Sequence, residues 1–139
     1  MLEIVESALP MPYAPRPSSF TQTFWRELEA GRLTTTRCTA CGVLTFPPRP
    51  YCPACSSDRH EWTTLSGQGR LYSRTRVHAA AGPFARLVPY SIGVIDLQEG
   101  VRMLASLLSP ATALPLDAAI RIVVVRHCDG VLFAATSDC

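Results

Sequence analysis

The chain has 139 residues, of which 47% are hydrophobic and 17% are charged, enough for one domain or for a small domain with an attached metal module. All 13 basic residues are arginine, so chemistry that needs a lysine amine is excluded, and the formal net charge is only +2. No segment approaches the roughly 18 apolar residues of a membrane span, and no membrane partner is expected.

The chain begins with a proline-rich arm. Each proline pushes the residue before it into extended geometry, so residues 9–17 are not expected to be helical. A disordered tail and a strap laid over another subunit both fit this segment. Residues 1–20 have neither the basic nor the apolar part of a secretory signal peptide, and a cytoplasmic protein is therefore expected.

An amphipathic helix is predicted over residues 19–30, with Ser18 or Ser19 as its N-cap and Gly31 just past its end. Its apolar stripe is large for so short a helix and consists of Phe20, Phe24, Trp25 and Leu28. The stripe either packs on the chain's own domain or docks in a groove of a partner, and the second interpretation makes it a candidate partner interface. The arm and the helix together form the first predicted unit, residues 1–31.

The strongest pattern is a pair of Cys-x-x-Cys motifs, formed by Cys38 and Cys41 and by Cys52 and Cys55. Each motif can turn two thiolates toward one ion, and four thiolates complete the tetrahedral shell of zinc at about 2.3 Å per Zn–S bond. Gly42 follows the first motif, where a tight knuckle often needs a positive φ. Four cysteines leave no open coordination position, so a structural zinc is predicted; a rubredoxin-type iron centre uses the same ligands, and the sequence does not choose between the metals.

Other interpretations of these cysteines fit less well. A disulfide framework is typical of small secreted chains, and a thioredoxin-like site needs a single motif at the start of a helix. Four thiolates and one Zn²⁺ would together lower the net charge by two, to near zero, which weakens any argument from basicity to nucleic acid. Arg37, Arg49 and Arg59 flank the cysteines and either offset the thiolate charge or lie solvated at the surface. The zinc ribbon is assigned to residues 32–60.

From residue 61 onward the sequence has the period of β-strands. An extended segment at 62–66 leads into five predicted strands, at 70–78, 90–97, 101–108, 120–127 and 131–136. Gly93 lies inside one of them, where a small barrel would bend. This pattern indicates a five-stranded Greek-key OB barrel over residues 61–139, so the whole chain is expected to be mainly β.

One predicted strand alternates strictly, which places Tyr72, Arg74, Arg76 and His78 on a single face. Arginines suit phosphate groups and a tyrosine offers a stacking ring, so this face is a candidate contact for CoA or for nucleic acid. One tyrosine and a near-neutral charge are a thin platform for nucleic acid, which normally needs several aromatic rings among many cations. A solvated strand surface is the third interpretation.

The sequence shows no catalytic constellation. His127 and Cys128 are neighbours on a predicted strand, so their side chains point to opposite faces. Cys128 and Cys139 are interpreted as inert thiols. Phosphate-loop, Gly-x-Ser-x-Gly and His-Glu-x-x-His motifs are absent from the sequence, and the chain is not expected to be an enzyme on its own.

Several segments occur together in one order, namely Trp25-Arg-Glu-Leu-Glu-Ala-Gly-Arg-Leu33, Arg37-Cys-Thr-Ala-Cys-Gly42, Phe46-Pro-Pro-Arg49, Cys52-Pro-Ala-Cys55, Ser66-Gly-Gln-Gly69, Tyr72-Ser-Arg-Thr75, Pro89-Tyr90 and Asp96-Leu-Gln-Glu-Gly100. In these segments the chain resembles the Zn-ribbon OB-fold proteins catalogued as domain of unknown function thirty-five, over roughly residues 18–127. It departs from them at Ser56 and at residues 116–118, where that family usually has a glycine before its apolar pair.

The resemblance implies a helix, a rubredoxin-like zinc ribbon and an OB barrel. It also implies a non-catalytic accessory subunit of a thiolase-superfamily enzyme that acts on acyl-CoA by thiolysis, retro-aldol cleavage or acyl transfer. The catalytic groups would then lie mainly on the thiolase-like partner in a hetero-oligomer, while the barrel borders the route of CoA. A single-stranded nucleic-acid binder and an autonomous acyl-CoA binder are the alternatives.

Overall fold

A computed structural model describes residues 1–138 of the chain. Over these residues the predicted mainly-β architecture with one α-helix is confirmed. The elements in chain order are β1 (Ile4–Glu6), α1 (Gln22–Glu29), β2 (Leu33–Cys38), β3 (Leu44–Thr45), β4 (His60–Leu65), β5 (Gln68–Val77), β6 (Tyr90–Leu97), β7 (Arg102–Leu107), β8 (Ala119–His127) and β9 (Gly130–Ser137), with 3-10 turns at Gly82–Arg86 and Ala111–Ala113.

Strands β5 to β9 form the closed barrel that the sequence predicts. They follow one another in the order β8-β5-β6-β7-β9, and the pairing of β8 with β9 closes the ring. All of these pairings are antiparallel except that of β7 with β9, which is parallel, as expected when a Greek-key connection returns the chain across one end. The barrel is filled by fully buried apolar side chains, including those of Leu71, Ile95, Ile120 and Ile122. In residues 1–138 no helix has the length and apolarity needed to cross a bilayer.

The second sheet has three strands in the order β3-β2-β4 and carries the cysteine motifs. Strand β4 pairs with β2 along its whole length, from Leu33 opposite Leu65 to Cys38 opposite His60. The segment at 62–66, expected to lead into the barrel, therefore belongs to the ribbon sheet. The sequence of this segment suits either place. The last residue of β4, Leu65, is 3% exposed and lies at the junction where the ribbon meets the barrel core.

Helix α1 is shorter at its start than predicted, because residues 18–21 form a separate turn. In that turn the Thr21 N–H donates to Ser18 Oγ at 3.0 Å, and the Ser18 N–H donates to Thr21 Oγ1 at 2.8 Å. The helix ends at Glu29, and Gly31 lies just past the C-cap as predicted, with a φ of +86°. The N–H groups of Gly31 and Arg32 donate to the carbonyls of Leu28 and Glu27, which is the hydrogen-bond pattern of a Schellman cap.

The N-terminal arm lies on its own barrel, so neither a disordered tail nor a strap over another subunit describes residues 1–13. Strand β1 runs parallel to β8, and Leu2 is buried beside the core. Further along, the N–H of Met11 donates to Asp129 Oδ1 at 2.8 Å, and the ring of Tyr13 packs on Phe84 with centroids 5.2 Å apart. Strand β1 precedes the first proline, Pro10, and the prolines keep the following residues of the arm extended.

Candidate metal centre and binding faces

The four cysteines predicted as metal ligands converge on one point. Their Sγ atoms all lie within 4.8 Å of one another, with 3.5 Å between Cys38 and Cys55 and 3.5 Å between Cys41 and Cys52. A zinc ion with four sulfurs at about 2.3 Å sets neighbouring sulfurs about 3.8 Å apart, so the cluster fits such an ion closely. When bound, zinc would cross-link the two knuckles, and this donor set fits a structural site.

The two knuckles have the same backbone geometry. The N–H of Gly42 donates to the Cys38 carbonyl at 2.8 Å, and the N–H of Ser56 donates to the Cys52 carbonyl at 2.9 Å. Both donors have a positive φ, +80° for Gly42 and +63° for Ser56. The predicted glycine knuckle is therefore present in the first motif, whereas the second motif forms the same turn with a serine in a left-handed conformation.

Backbone N–H groups favour one thiolate in each motif. The N–H of Cys41 lowers the pKa of the Cys38 thiol to about 6, and the N–H of Cys55 lowers the pKa of Cys52. The N–H of Val43 is the largest single influence on Cys41 and lowers its pKa, but hydrogen bonding to the other three cysteines and burial together outweigh it and raise that pKa to about 12. The N–H of Ser57 likewise lowers the pKa of Cys55, but hydrogen bonding to Cys38 and Cys52 together with burial raises it above its usual value. Four adjacent thiolates repel one another, and a divalent cation removes this repulsion.

The arginines expected near the thiolates have distinct positions. Arg37 donates through Nη1 to the Gly42 carbonyl at 3.0 Å and so holds the first knuckle. Arg49 and Arg59 line a small recess together with Cys38 and Cys52. The thiolates therefore have arginine neighbours on the recess side, and both arginines are also exposed, so both interpretations from the sequence stay open.

The structure divides the face formed by Tyr72, Arg74, Arg76 and His78. A β-bulge between Leu71 and Ser73 leaves Tyr72 without a partner on β6, and such an extra residue reverses the alternation that follows it. Arg74 then lies opposite Gly93, on the side where a Cβ at Gly93 would meet Leu71 and Leu107 inside the barrel.

Tyr72 remains on the outside, where the guanidinium of Arg102 lies 3.8 Å from its ring centroid. Arg74 donates to the carbonyl of Leu114, in the loop over the barrel end, while Arg76 and His78 are exposed. The prediction of one continuous face is therefore wrong for Tyr72, because strict alternation does not hold across a bulge, whereas Arg74 and Arg76, opposite Gly93 and Ser91, stay on one side.

The helix stripe is also divided. Phe24 and Leu28 are buried by this chain, with 5% and 0% exposure, so they cannot line a partner interface and that part of the prediction is wrong. Phe20 and Trp25 are half-buried; Phe20 packs on Trp62 with centroids 5.3 Å apart. Of the predicted stripe, the exposed parts of Phe20, in the turn before α1, and of Trp25, on α1, remain available for contact with a partner.

Sequence reasoning missed the outer surface of β6 and β7. Two grooves meet there at Leu104, which is 58% exposed. Burial alternates strictly along residues 102–107. The signal in the sequence was Leu104, an apolar residue at an outward position between the polar residues Arg102 and Ser106.

Other candidate groups remain separate. Cys128 is exposed, and the His127 Nδ1 lies 3.2 Å from the Leu9 carbonyl. Among residues 1–138 the four ribbon cysteines are the one cluster of three or more metal-binding side chains, and Cys139 lies outside the described residues.

The fold and the four-thiolate centre define a zinc-ribbon protein with an attached OB barrel. Residues 25–61 match the family model described as the rubredoxin-like zinc ribbon domain of ChsH2, and residues 62–126 match the model of the ChsH2 C-terminal OB-fold domain. The chain belongs to this family of zinc-ribbon OB-fold proteins, also called DUF35.

Curated relatives agree with this assignment. A "DUF35 domain-containing scaffold protein" of Methanocaldococcus jannaschii is 40% identical over 81 residues, covering 57% of each chain. The "Benzoylsuccinyl-CoA thiolase subunit BbsA" of Thauera aromatica is 41% identical over 51% of this chain and 48% of its own length. The "Probable enoyl-CoA hydratase alpha subunit" of Thermomonospora curvata is 36% identical over 73% of this chain and 32% of its own length. The chain thus spans between about a third and three fifths of the length of the curated relatives it matches.

A solved structure has the same fold. The chain described as "Ltp2-ChsH2(DUF35) aldolase" superposes with a TM-score of 0.77 over 91% of this chain and 100% of its own, at 23% identity. A DUF35-family protein of Sulfolobus solfataricus superposes with a TM-score of 0.60 at 15% identity.

Proposed function

We propose that this chain is a non-catalytic accessory subunit that binds and supports a thiolase-superfamily enzyme acting on acyl-CoA. The observation that carries the proposal is the set of relatives named as thiolase and hydratase subunits. A metal centre with four thiolate ligands and no open position agrees with a structural role for the metal. The cytoplasmic location and the division into residues 1–31, 32–60 and 61–139 are parts of the same proposal, with the ribbon sheet continuing through β4 to Leu65.

The reaction of the complex would be thiolysis, retro-aldol cleavage or acyl transfer, with the catalytic groups on the partner. Within the complex the barrel would border the route of CoA. All four members of the predicted face are exposed, but Arg74 is engaged with the Leu114 carbonyl and Tyr72 lies on the other side of the strand, which leaves Arg76 and His78. Arg76 is therefore the residue that we assign to a CoA phosphate, since a guanidinium suits that group.

Single-stranded nucleic acid is the weaker candidate. Base stacking beside a cationic strand needs the ring and the arginines on one side, and the bulge at Tyr72 separates them. No observation in residues 1–138 favours this function over the first.

The test is co-expression with a thiolase-like enzyme encoded beside this gene, followed by purification and measurement of acyl-CoA turnover. We expect a stable complex whose turnover exceeds that of the enzyme alone. Arg76→Glu should raise KM without preventing assembly, whereas Arg26→Glu, on the distant helix, should leave KM unchanged. A chain that forms no complex, or that binds a single-stranded oligonucleotide in a salt-sensitive manner, would contradict the proposal.

A further inference from the structure

The outer surface of the β6–β7 pair is apolar where a barrel normally faces water. Val94 pairs with Leu104 and Ile92 pairs with Ser106, and all four lie opposite the side on which Gly93 faces the core. Leu104 is 58% exposed. Single exposed leucines are common, but this one stands between two grooves, of which the first is lined mainly by apolar surface.

The first groove, of about 380 Å³, is lined by Phe46 and Pro47 of the ribbon and by Val94, Arg102, Met103 and Leu104 of the barrel. The second, of about 260 Å³, lies between the barrel, the arm and the 3-10 turn at Gly82–Arg86. It is lined by Tyr13, Phe84, Tyr90, Ile92, Leu104, Ala105, Ser106 and Phe133. We call the surface formed by Phe46, Tyr90, Ile92, Val94 and Leu104 the Leu104 face.

The Leu104 face is supported from beneath by packed rings. Phe46 and Phe133 meet edge to face at 6.2 Å, and each also packs edge to face on the buried ring of Phe24, at 5.9 Å and 6.0 Å. On the other side Phe84 packs between Tyr13 and Tyr90. The ribbon, helix, barrel and arm thus all hold this surface in place, and a surface fixed in advance loses little conformational entropy when it binds.

The net charge around the Leu104 face is positive, and one carboxylate, that of Asp96, lies at its edge. The sequence contains no Asp or Glu in residues 7–26 or in residues 71–95, and these two stretches meet where Tyr13 packs on Phe84. They carry Arg16 and Arg86, neither of which forms an ion pair within residues 1–138. Arg102 adds a third guanidinium at the edge, although it is paired with Asp96 at 2.5 Å.

We infer that the Leu104 face is the docking surface of this chain for its protein partner, and that the partner presents an apolar side chain surrounded by carboxylates. An apolar centre within a polar rim is the usual anatomy of a protein–protein interface, and complementary charge fixes its orientation. The identity of the partner as the acyl-CoA enzyme rests on the proposed function. A second copy of this chain is disfavoured as the occupant, because it would bring two cationic rims together.

The matched pair Leu104→Asp and Leu116→Asp tests the face. Both leucines are 58% exposed, and Leu116 lies in the loop before β8, outside both grooves. With the zinc-loaded full chain and the purified catalytic partner, we expect Leu104→Asp to raise Kd by about 30-fold, as for truncation of a central interface residue. Leu116→Asp should change Kd by less than about twofold.

The pair Arg86→Glu and Arg26→Glu tests the charge of the rim. Arg86→Glu should weaken binding, mainly by slowing association, and the affinity of the unmodified complex should fall as salt rises. Arg26→Glu lies on α1 and should weaken binding only if the helix is the docking element. Hydrogen exchange of the unmodified complex needs no variant, and it should show protection in residues 90–94 and 102–106.

The outcomes separate the inference from the proposed function. A complex unaffected by Leu104→Asp, or protected along α1 instead of β6 and β7, overturns the docking surface and leaves the accessory-subunit proposal standing. A concentration-dependent dimer that Leu104→Asp abolishes identifies a second copy as the occupant and also overturns the inference. Failure of the unmodified chain to form any complex refutes the proposed function, and the inference fails with it.

Discussion

Ser56 adopts a backbone conformation that a serine disfavours. Its φ of +63° reproduces the knuckle that Gly42 forms at +80° in the first motif. Left-handed geometry costs a non-glycine residue roughly 1–2 kcal/mol, part of which glycine returns through its larger freedom in the unfolded chain. We expect Ser56→Gly to stabilise the zinc-loaded protein by about 0.5 kcal/mol and to raise Tm by about 2 °C in calorimetry.

The reverse change is the control. A Cβ added at Gly42 would meet no atom within 4 Å, so Gly42→Ser introduces backbone strain without a steric clash. It should lower Tm by a similar amount. Shifts of the same sign for the two variants would show that the knuckles are not equivalent.

Cys38 is the ligand through which the zinc site is joined to β2. Because metal binding to such a site is coupled to folding, Cys38→Ser should lose stoichiometric zinc and lower Tm by more than 10 °C, a loss of several kcal/mol. Elemental analysis and calorimetry measure the two effects. Cys128→Ser alters an exposed thiol outside the cluster and should change neither quantity.

Acidification should release the metal, since zinc binds thiolates and protons compete for them. The pKa of Cys38 is lowered from 9.0 to about 6, so in the metal-free protein the stability that depends on this thiolate is full above about pH 9, falls as the pH drops below that value, and is lost as the pH passes through about 6. Bound zinc moves this loss to lower pH. A zinc content that stays constant down to strongly acidic pH would contradict this account.

At the scale of elements, α1 acts as a support for the aromatic cluster. Phe24 contacts Trp25 on its own helix, Phe46 beside the ribbon and Phe133 on β9. Phe24→Ala should cost about 3 kcal/mol in the free energy of unfolding, measured by urea titration, because it opens a cavity where three parts of the chain meet. Phe20→Ala, in the turn before the helix and half-buried, should cost less than half of that.

The elements also show why some features could be predicted and others could not. The cysteine spacing is local, so it sufficed to identify the metal ligands, and Gly31 marked the end of the helix for the same reason. The bulge at Tyr72 is not local. It is defined by the register between β5 and β6, and the side-chain pattern of residues 71–77 alternates regularly on both sides of it.

At the scale of the whole molecule, the arm contributes to stability. Leu2 is 8% exposed and its N–H donates to the Gly31 carbonyl at 2.7 Å, whereas Leu9 is 71% exposed. Leu2→Ala should lower the free energy of unfolding by about 2 kcal/mol, near the small end of the range for buried leucines. Leu9→Ala should have no measurable effect in the same titration, and equal effects would mean that the arm is not anchored through Leu2.

The sequence alone could not predict where the arm and β4 lie, because each pairs with a strand that is distant in the chain. Prolines determine that residues 9–17 are extended, but they do not specify which surface receives the segment. The alternating residues of β4 fit a ribbon sheet or a barrel equally well, and the pairing with β2 decided between them. Burial also reassigned Phe24 and Leu28, since a stripe that could face a partner could equally face the chain's own core.

Arg121 brings the two ends of the described chain to one place. Its guanidinium lies 2.5 Å from a carboxylate oxygen of Glu3 and 3.8 Å from one of Asp138, on opposite edges of β8. A short flexible linker could therefore join residues 3 and 138, and new ends could be cut in the surface loop near Gly82, giving a circularly permuted protein with the same barrel.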